Sequence, residues 1–156
     1  MCGITGFAGR GTRDVLEKMT RSLAYRGPDG EGYFFDGNDL VGLGHRRLSI
    51  IDVGGGKQPI FNENKSIAVI LNGEIYNFSD LREDLESRHK FLTNSDTEII
   101  VHLYEEIGEK VFEKLNGMFA FAIYDMPRQK LILARDRIGK KPLYWSVSGN
   151  AIIFGS

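Results

Sequence analysis

One domain with a real hydrophobic core fits within 156 residues, and 20 Lys plus Arg against 21 Asp plus Glu leave a formal net charge of -1. That balance gives no support to a nucleic-acid partner or an anionic membrane. The single cysteine excludes an intrachain disulfide framework, and His45, His89 and His102 are scattered without metal-ligand spacing, so no metal site is expected.

The first thirty residues lack the apolar core of a signal peptide. The longest apolar run, Met118 to Tyr124, is far short of the roughly 20 residues a membrane helix needs. A soluble, cytoplasmic protein is the expectation. Glycine is abundant, at 19 residues, which points to tight turns and close backbone approaches rather than to a helical bundle.

The chain opens Met1-Cys2-Gly3-Ile4, with its one cysteine directly behind the initiator methionine. Loss of Met1, usual before a small residue, would give Cys2 a thiol and a free α-amine on one residue. Such an amine titrates near about 7.7–8.0 and can serve as the base for its own nucleophile. The other reading is a cysteine packed as a small hydrophobe in a buried first strand. Cys2 to Ala8 alternates small and apolar residues and reads as that strand.

A helix follows Gly9-Arg10-Gly11, with Asp14 as its cap and Glu17 completing the box. Val15/Leu16, Met19 and Leu23 form its apolar stripe, and Gly27 stops it. Arg26-Gly27-Pro28-Asp29-Gly30 is a turn by composition. Strands are expected at Gly32–Phe35 and Leu40–Ile51. The second carries Arg46 and Arg47, which must point to opposite faces, one to solvent and one inward toward something anionic. Gly54-Gly55-Gly56 is a flexible loop, since a phosphate-binding Walker loop would need glycine where Ile51 stands and Ser or Thr where Gln58 stands.

Ser66–Leu71 reads as a continuous apolar strand that runs into a polar corner at Asn72-Gly73-Glu74. A helix starts at Asn77, and Ser95-Asp96-Thr97-Glu98 is a capping box that opens another, closed by Gly108. Asp96 is then the first residue of that helix, where a carboxylate also complements the helix dipole with no ligand needed. Gly117–Asp125 with Lys130–Arg137, and Pro142–Val147 with Ala151–Phe154, read as two hairpins. The order suits an α+β protein of stacked antiparallel sheets with helices outside. The last residues, Ala151 to Ser156, read as a strand cut short, so residues 1–156 are expected to be one domain excerpted near its C-terminal end.

Cys2-Gly3-Ile4, Arg26-Gly27-Pro28-Asp29-Gly30, Gly44 through Asp52, Leu71 through Asn77, Ser95 through Glu98 and Ala134 through Tyr144 occur in that order. Together they resemble the glutaminase domain of class II glutamine amidotransferases, over essentially the whole chain. The Arg-Gly-Pro-Asp turn favours the glutamine-hydrolysing asparagine synthetase branch. The resemblance implies the N-terminal-nucleophile hydrolase fold, a four-layer αββα sandwich. It also implies that Cys2 attacks the side-chain amide of L-glutamine with its own α-amine as base, releasing ammonia and then glutamate. The chain is expected to be inactive while Met1 is retained.

The family's oxyanion hole maps onto the Asn72 side chain and the Gly73 N–H, where the missing Cβ would ease approach. Its α-carboxylate ligand maps onto Arg47, with a structural salt bridge as the alternative. Its α-ammonium ligands map onto Asp96 and Glu74, and the main chain of Leu48, Ser49, Ile50 and Ile51 should line the same pocket. No cofactor is implied for this domain. Relatives carry a C-terminal synthetase domain that uses ATP and magnesium, and its Ser-Gly-Gly-x-Asp loop does not occur here. That domain is the implied partner, and an oligomer is compatible with the sequence.

Plainer readings fit other residues. Arg26 either approaches the nucleophile or fixes its turn; His45 is expected to be buried and hydrogen-bonded; Arg135, Arg137, Lys140 and Lys141 suit a solvated hairpin or a face packed on another domain. A non-catalytic glutamine-sensing or docking module is the alternative function, and a peptidase is disfavoured by the grip on free α-groups. The acceptor of the ammonia, whether aspartate, another carboxylate or a sugar, is left open.

Overall fold

The computed structural model describes residues 1–38, 40–49, 52 and 54–156. The chain runs β1 (Gly3–Ala8), α1 (Arg13–Ser22), β2 (Gly30–Phe35), β3 (Val41–Arg47), β4 (Ile60–Phe61), β5 (Ile67–Ile75), α2 (Phe78–Leu85) and α3 (Glu98–Ile107). A short 3-10 turn at Gly108–Lys110 leads into α4 (Val111–Lys114), β6 (Gly117–Asp125), β7 (Lys130–Arg135), β8 (Tyr144–Ser148) and β9 (Ala151–Gly155). The strands form a five-stranded sheet ordered β2-β3-β1-β9-β8 and a four-stranded sheet ordered β4-β5-β6-β7. Every strand pairing is antiparallel.

Strand parity sorts the core into layers. In β5, Ala68 and Ile70 face the other sheet and meet Ile4, Leu43, Ala120, Ala122 and Phe154. Val69 and Leu71 face the other way, against Leu85, Ile100, Val101, Phe121 and Ile123. Burying each of the Val, Leu, Ile and Phe side chains among them is worth about 1.5–3 kcal/mol. Helices α2 and α3 therefore cover the four-stranded sheet, and α1 covers the five-stranded one with Leu16 buried beneath it. That approach is close: a Cβ on Gly44 would fall 2.1 Å from Thr20 Oγ1. The αββα order expected from the sequence is the order observed. None of the helices among the described residues is long and apolar enough to cross a membrane.

Several local expectations are corrected. Thr12, not Asp14, caps α1 by accepting the Val15 N–H; Asp14 instead pairs with Lys18 at 2.7 Å. The buried side of α1 is Leu16 and Thr20, while Val15 is 43% exposed. The box before α3 is rewired: Ser95 Oγ accepts the Thr97 N–H, and Glu98 reaches back to Leu92 N–H, Thr93 N–H and Thr93 Oγ1 at 2.6–2.7 Å. Asn72-Gly73-Glu74 is no corner but the second half of β5, kept straight by pairing with Phe119 and Met118 of β6. Arg46 and Arg47 do diverge as expected, but Arg46 is held by Glu31 at 2.8 Å and by the Gly27 carbonyl rather than left in water.

Candidate active site

The site forms where β5 outruns its short neighbour. Tyr76 donates to the Asn116 carbonyl and Met126 to the Ser66 carbonyl, so the even-numbered residues of β5 bond to β6 and the odd-numbered ones face the opposite edge. On that edge β4 reaches only Ala68 and Val69. Beyond it, Leu71 N–H goes to Gln58 Oε1 at 2.6 Å and Ile75 N–H to Asp96 Oδ2 at 2.8 Å. Gly73 lies between these two and lines a cavity of about 280 Å³, just below the usual range for small-ligand sites. Glycine is required here by β6 rather than by a ligand, because a Cβ would sit 2.2 Å from the Met118 carbonyl oxygen.

Cys2 stands one residue before β1, on the parity of Ile4, and so is directed between the sheets toward the same cavity. Its half-buried Sγ accepts the Leu48 N–H at 3.5 Å and lies 3.6 Å from the Leu48 carbonyl. Arg26 Nε binds the Cys2 carbonyl at 3.1 Å, so Arg26 fixes the main chain of this residue. Across the cavity Asn72 is fully buried; its Nδ2 donates to Ser156 Oγ at 2.8 Å, and its Oδ1 has no partner among the described residues. Ser156 Oγ in turn donates to the Pro142 carbonyl, which fixes the direction of both bonds.

Charge of both signs lines the walls: Arg47 and Lys141 against Glu74 and Asp96. Arg47 Nη2 binds the Asp52 carbonyl at 2.5 Å, and Asp52 in turn accepts Gly55 N–H and Asn94 N–H, tying the loop after β3 to the approach of α3. Burial pushes the Asp96 carboxyl above the ordinary range, with nearby Glu74 adding to the shift and bonds from Ile75 and Thr97 opposing it. His45 lies on the inward face of β3, buried, with Nε2 unpartnered among the described residues. Desolvation lowers its pKa to about 3 against a raising contact with the Leu71 backbone, and Arg47 and Arg46 add to the lowering. It is neutral at pH 7 and buried as expected, though not fully hydrogen-bonded.

Of the residues singled out from the sequence, the fold gathers Cys2, Arg47, Leu48, Asn72, Gly73, Glu74 and Asp96 around one cavity. Ser49 is not among its walls; its N–H is taken by Asp29 Oδ2 at 2.8 Å. Ile50 and Ile51 lie outside the described residues. Sequence reasoning missed Gln58, Ser156 and Lys141. Lys141 is buried, not solvated, because the Asp136 carboxylate collects Lys140 N–H, Lys141 N–H and Phe119 N–H and folds this segment inward. Asp136 inside a run of basic residues was the one available signal for that turn; Gln58 and Ser156 carry none.

A family model described as a glutamine amidotransferase domain matches residues 1–156. The chain belongs to the glutamine amidotransferase domain family. It is 44% identical to asparagine synthetase [glutamine-hydrolyzing] 2 of Bacillus subtilis, over all of this chain and 21% of that protein. It is 45% identical to asparagine synthetase [glutamine-hydrolyzing] 3 of Arabidopsis thaliana, over 96% of this chain and 27% of the relative. The nodule enzyme of Pisum sativum is 42% identical over 98% of this chain and 27% of its own length. This amidotransferase domain thus spans about a quarter of the curated relatives it matches, and its αββα layering is that expected of N-terminal-nucleophile hydrolases.

Proposed function

We propose that this domain hydrolyses L-glutamine to glutamate and ammonia through a thioester on Cys2. The observation that carries this is the meeting, across one cavity, of the lone thiol with the Gly73 N–H and the Asn72 amide, inside walls bearing two cations and two carboxylates. Such walls complement a free amino acid, whose α-carboxylate and α-ammonium need one of each sign. Arg47 offers a planar fork to the carboxylate, and Asp96 with Glu74 faces the ammonium.

With Met1 removed, the Cys2 α-amine takes the thiol proton as Sγ bonds to the side-chain carbonyl carbon of glutamine. The resulting oxyanion is received by the Gly73 N–H and by the second Nδ2 hydrogen of Asn72, the first being engaged by Ser156. Each such donor is worth about 10²–10³ in rate. Collapse breaks the C–N bond, the α-ammonium returns its proton to the departing ammonia, and a thioester remains. Water then adds, giving its proton to the same amine, and glutamate leaves with the thiol restored. Retention of Met1 blocks every one of these proton transfers.

The names of the relatives, glutamine-hydrolysing asparagine synthetases, support amidation of aspartate as the destination of the ammonia; the resemblance would place that step on a partner synthetase domain using ATP and magnesium. The assay is glutamate release from free glutamine, with processing of Met1 followed by intact mass. Cys2→Ala should abolish release. Activity that survives this substitution, or full activity in protein that retains Met1, refutes the mechanism; glutamine binding without turnover by the processed protein would favour a sensing module instead.

A further inference from the structure

Around α3, apart from the cavity, residues remote in sequence converge. Glu63 comes from the turn between β4 and β5, His89 from the segment after α2, and His102 and Glu105 from α3 itself. One ligand atom from each lies within 4.8 Å of all the others. His102 is completely buried, and neither of its ring nitrogens has a hydrogen-bond partner among the described residues. Its Nδ1 is aimed into the cluster, 3.5 Å from Glu63 Oε2 and 3.7 Å from Glu105 Oε2. His89 Nδ1 completes the set, 3.2 Å from Glu63 Oε1 and 3.8 Å from Glu105 Oε2.

These separations have a chemical meaning. A tetrahedron of N and O atoms about 2.0–2.1 Å from a central ion has edges of about 3.3–3.4 Å, against histidine–glutamate separations here of 3.2–3.8 Å and at most 4.8 Å between any two of the four donors, so an ion would close the shell by drawing them in. The outer contacts follow the same pattern. His102 Nε2 faces Glu98 at 3.5 Å and His89 Nε2 faces Glu106 at 3.2 Å, the carboxylate-behind-histidine arrangement that orients metal-bound imidazoles. Asn62 Nδ2 and Lys90 N–H steady the carboxylates of Glu105 and Glu63 at 2.8 and 2.9 Å.

We propose that Glu63, His89, His102 and Glu105 form a four-coordinate site for a divalent cation of zinc type. Two imidazoles and two carboxylates suit a borderline first-row ion better than magnesium or calcium. With all four positions filled by protein the site is structural rather than catalytic. It fastens α3 to the β4–β5 turn, and its outer ligand Glu98 is the residue that also gathers Leu92 and Thr93 just before Asp96.

The test uses metal-free protein carrying Cys2→Ala, so that the thiol cannot capture the probe. Titration with Co²⁺ should give one saturable equivalent with the intense visible bands of four-coordinate cobalt, displaced by Zn²⁺. Zinc at about 100 times its dissociation constant should raise Tm by about 5–10 °C. His102→Gln should abolish both effects, and the more accessible His89→Gln should weaken binding in a protein that folds independently of the outcome at His102. Absence of saturable binding, or binding and Tm shift unchanged in both variants, overturns the site and leaves a network of histidines compensated by glutamates.

Discussion

Asp96→Asn separates the chemistry of the pocket from its stability. The carboxylate is buried, raised in pKa chiefly by desolvation and further by Glu74, and its Oδ2 accepts the Ile75 N–H. Asparagine keeps an acceptor for that N–H and removes the charge. A carboxyl whose pKa is raised by folding takes up its proton at higher pH in the folded state than in the unfolded one, so the ionised form detracts from stability at neutral pH. The variant should therefore melt at or above the wild-type temperature. Its grip on the substrate ammonium should fail by the worth of one charged hydrogen bond, about 1.5–3 kcal/mol, or a rise in KM for glutamine of about ten- to a hundred-fold. Glutaramate, which is glutamine without its α-amine, supplies the control: wild type and variant should hydrolyse it equally well. The measurement is glutamate or glutarate release alongside thermal unfolding. An unchanged KM for glutamine, or an equal loss on both substrates, refutes the assignment; so does a Tm lowered by more than about 4 °C, the mark of a merely structural aspartate.

In the wild type, KM for glutamine should rise on acidification at a pH above that expected of an ordinary aspartate, and Asp96→Asn should lack this inflection in a pH–KM profile. Ser156→Ala should lower kcat with little change in KM, because it releases the Asn72 amide, while Asn72→Ala should cost about 10²–10³ in kcat in the same steady-state assay. His45→Gln should remove part of the acid lability: between the ordinary histidine pKa and about 3 the unfolded chain binds a proton that folded His45 refuses, a slope of about 1.4 kcal/mol per pH unit in denaturant titrations. Gly73→Ala should destabilise by about 1–3 kcal/mol and also displace the neighbouring N–H, since its Cβ must push on the Met118 and Phe119 backbone.

Much of the layering was legible because β1, β5 and β6 are near-continuous apolar runs, buried on both faces as strands between two other layers must be. The cap of α1 was misplaced by two residues because Thr12 and Asp14 are both competent acceptors, and only the backbone angle at Thr12 selects between them. Gly73 in Asn72-Gly73-Glu74 looked like a turn residue, yet the need for glycine comes from crowding by β6, which no local pattern reports. That Cys2, Arg47 and Asp96 would line one pocket was expected from chemistry and resemblance, and all three do line it. Ser156 acts only through another side chain, and His89 and His102 meet, ring centroids 4.7 Å apart, only because α3 lies beside the segment following α2.

The brevity of β4 has an outcome of its own. Continuing its register backward from Ile60 opposite Val69 would bring Gln58 opposite Leu71 and Gly56 opposite Gly73. Gln58 meets that appointment with its side chain alone, and the strand goes no farther. Were the segment from Gly54 to Gly56 to zip onto the sheet, an ordinary ladder bond would swallow the amide proton at Gly73, and on the proposed mechanism the domain should fall silent with every other reacting group intact. The Asp52 carbonyl instead accepts the N–H groups of Gly55 and Gly56 together with Arg47 Nη2, so those two amides are engaged away from the sheet. Under the proposed mechanism an unfinished edge is a working part, and a more complete sheet would make a worse catalyst.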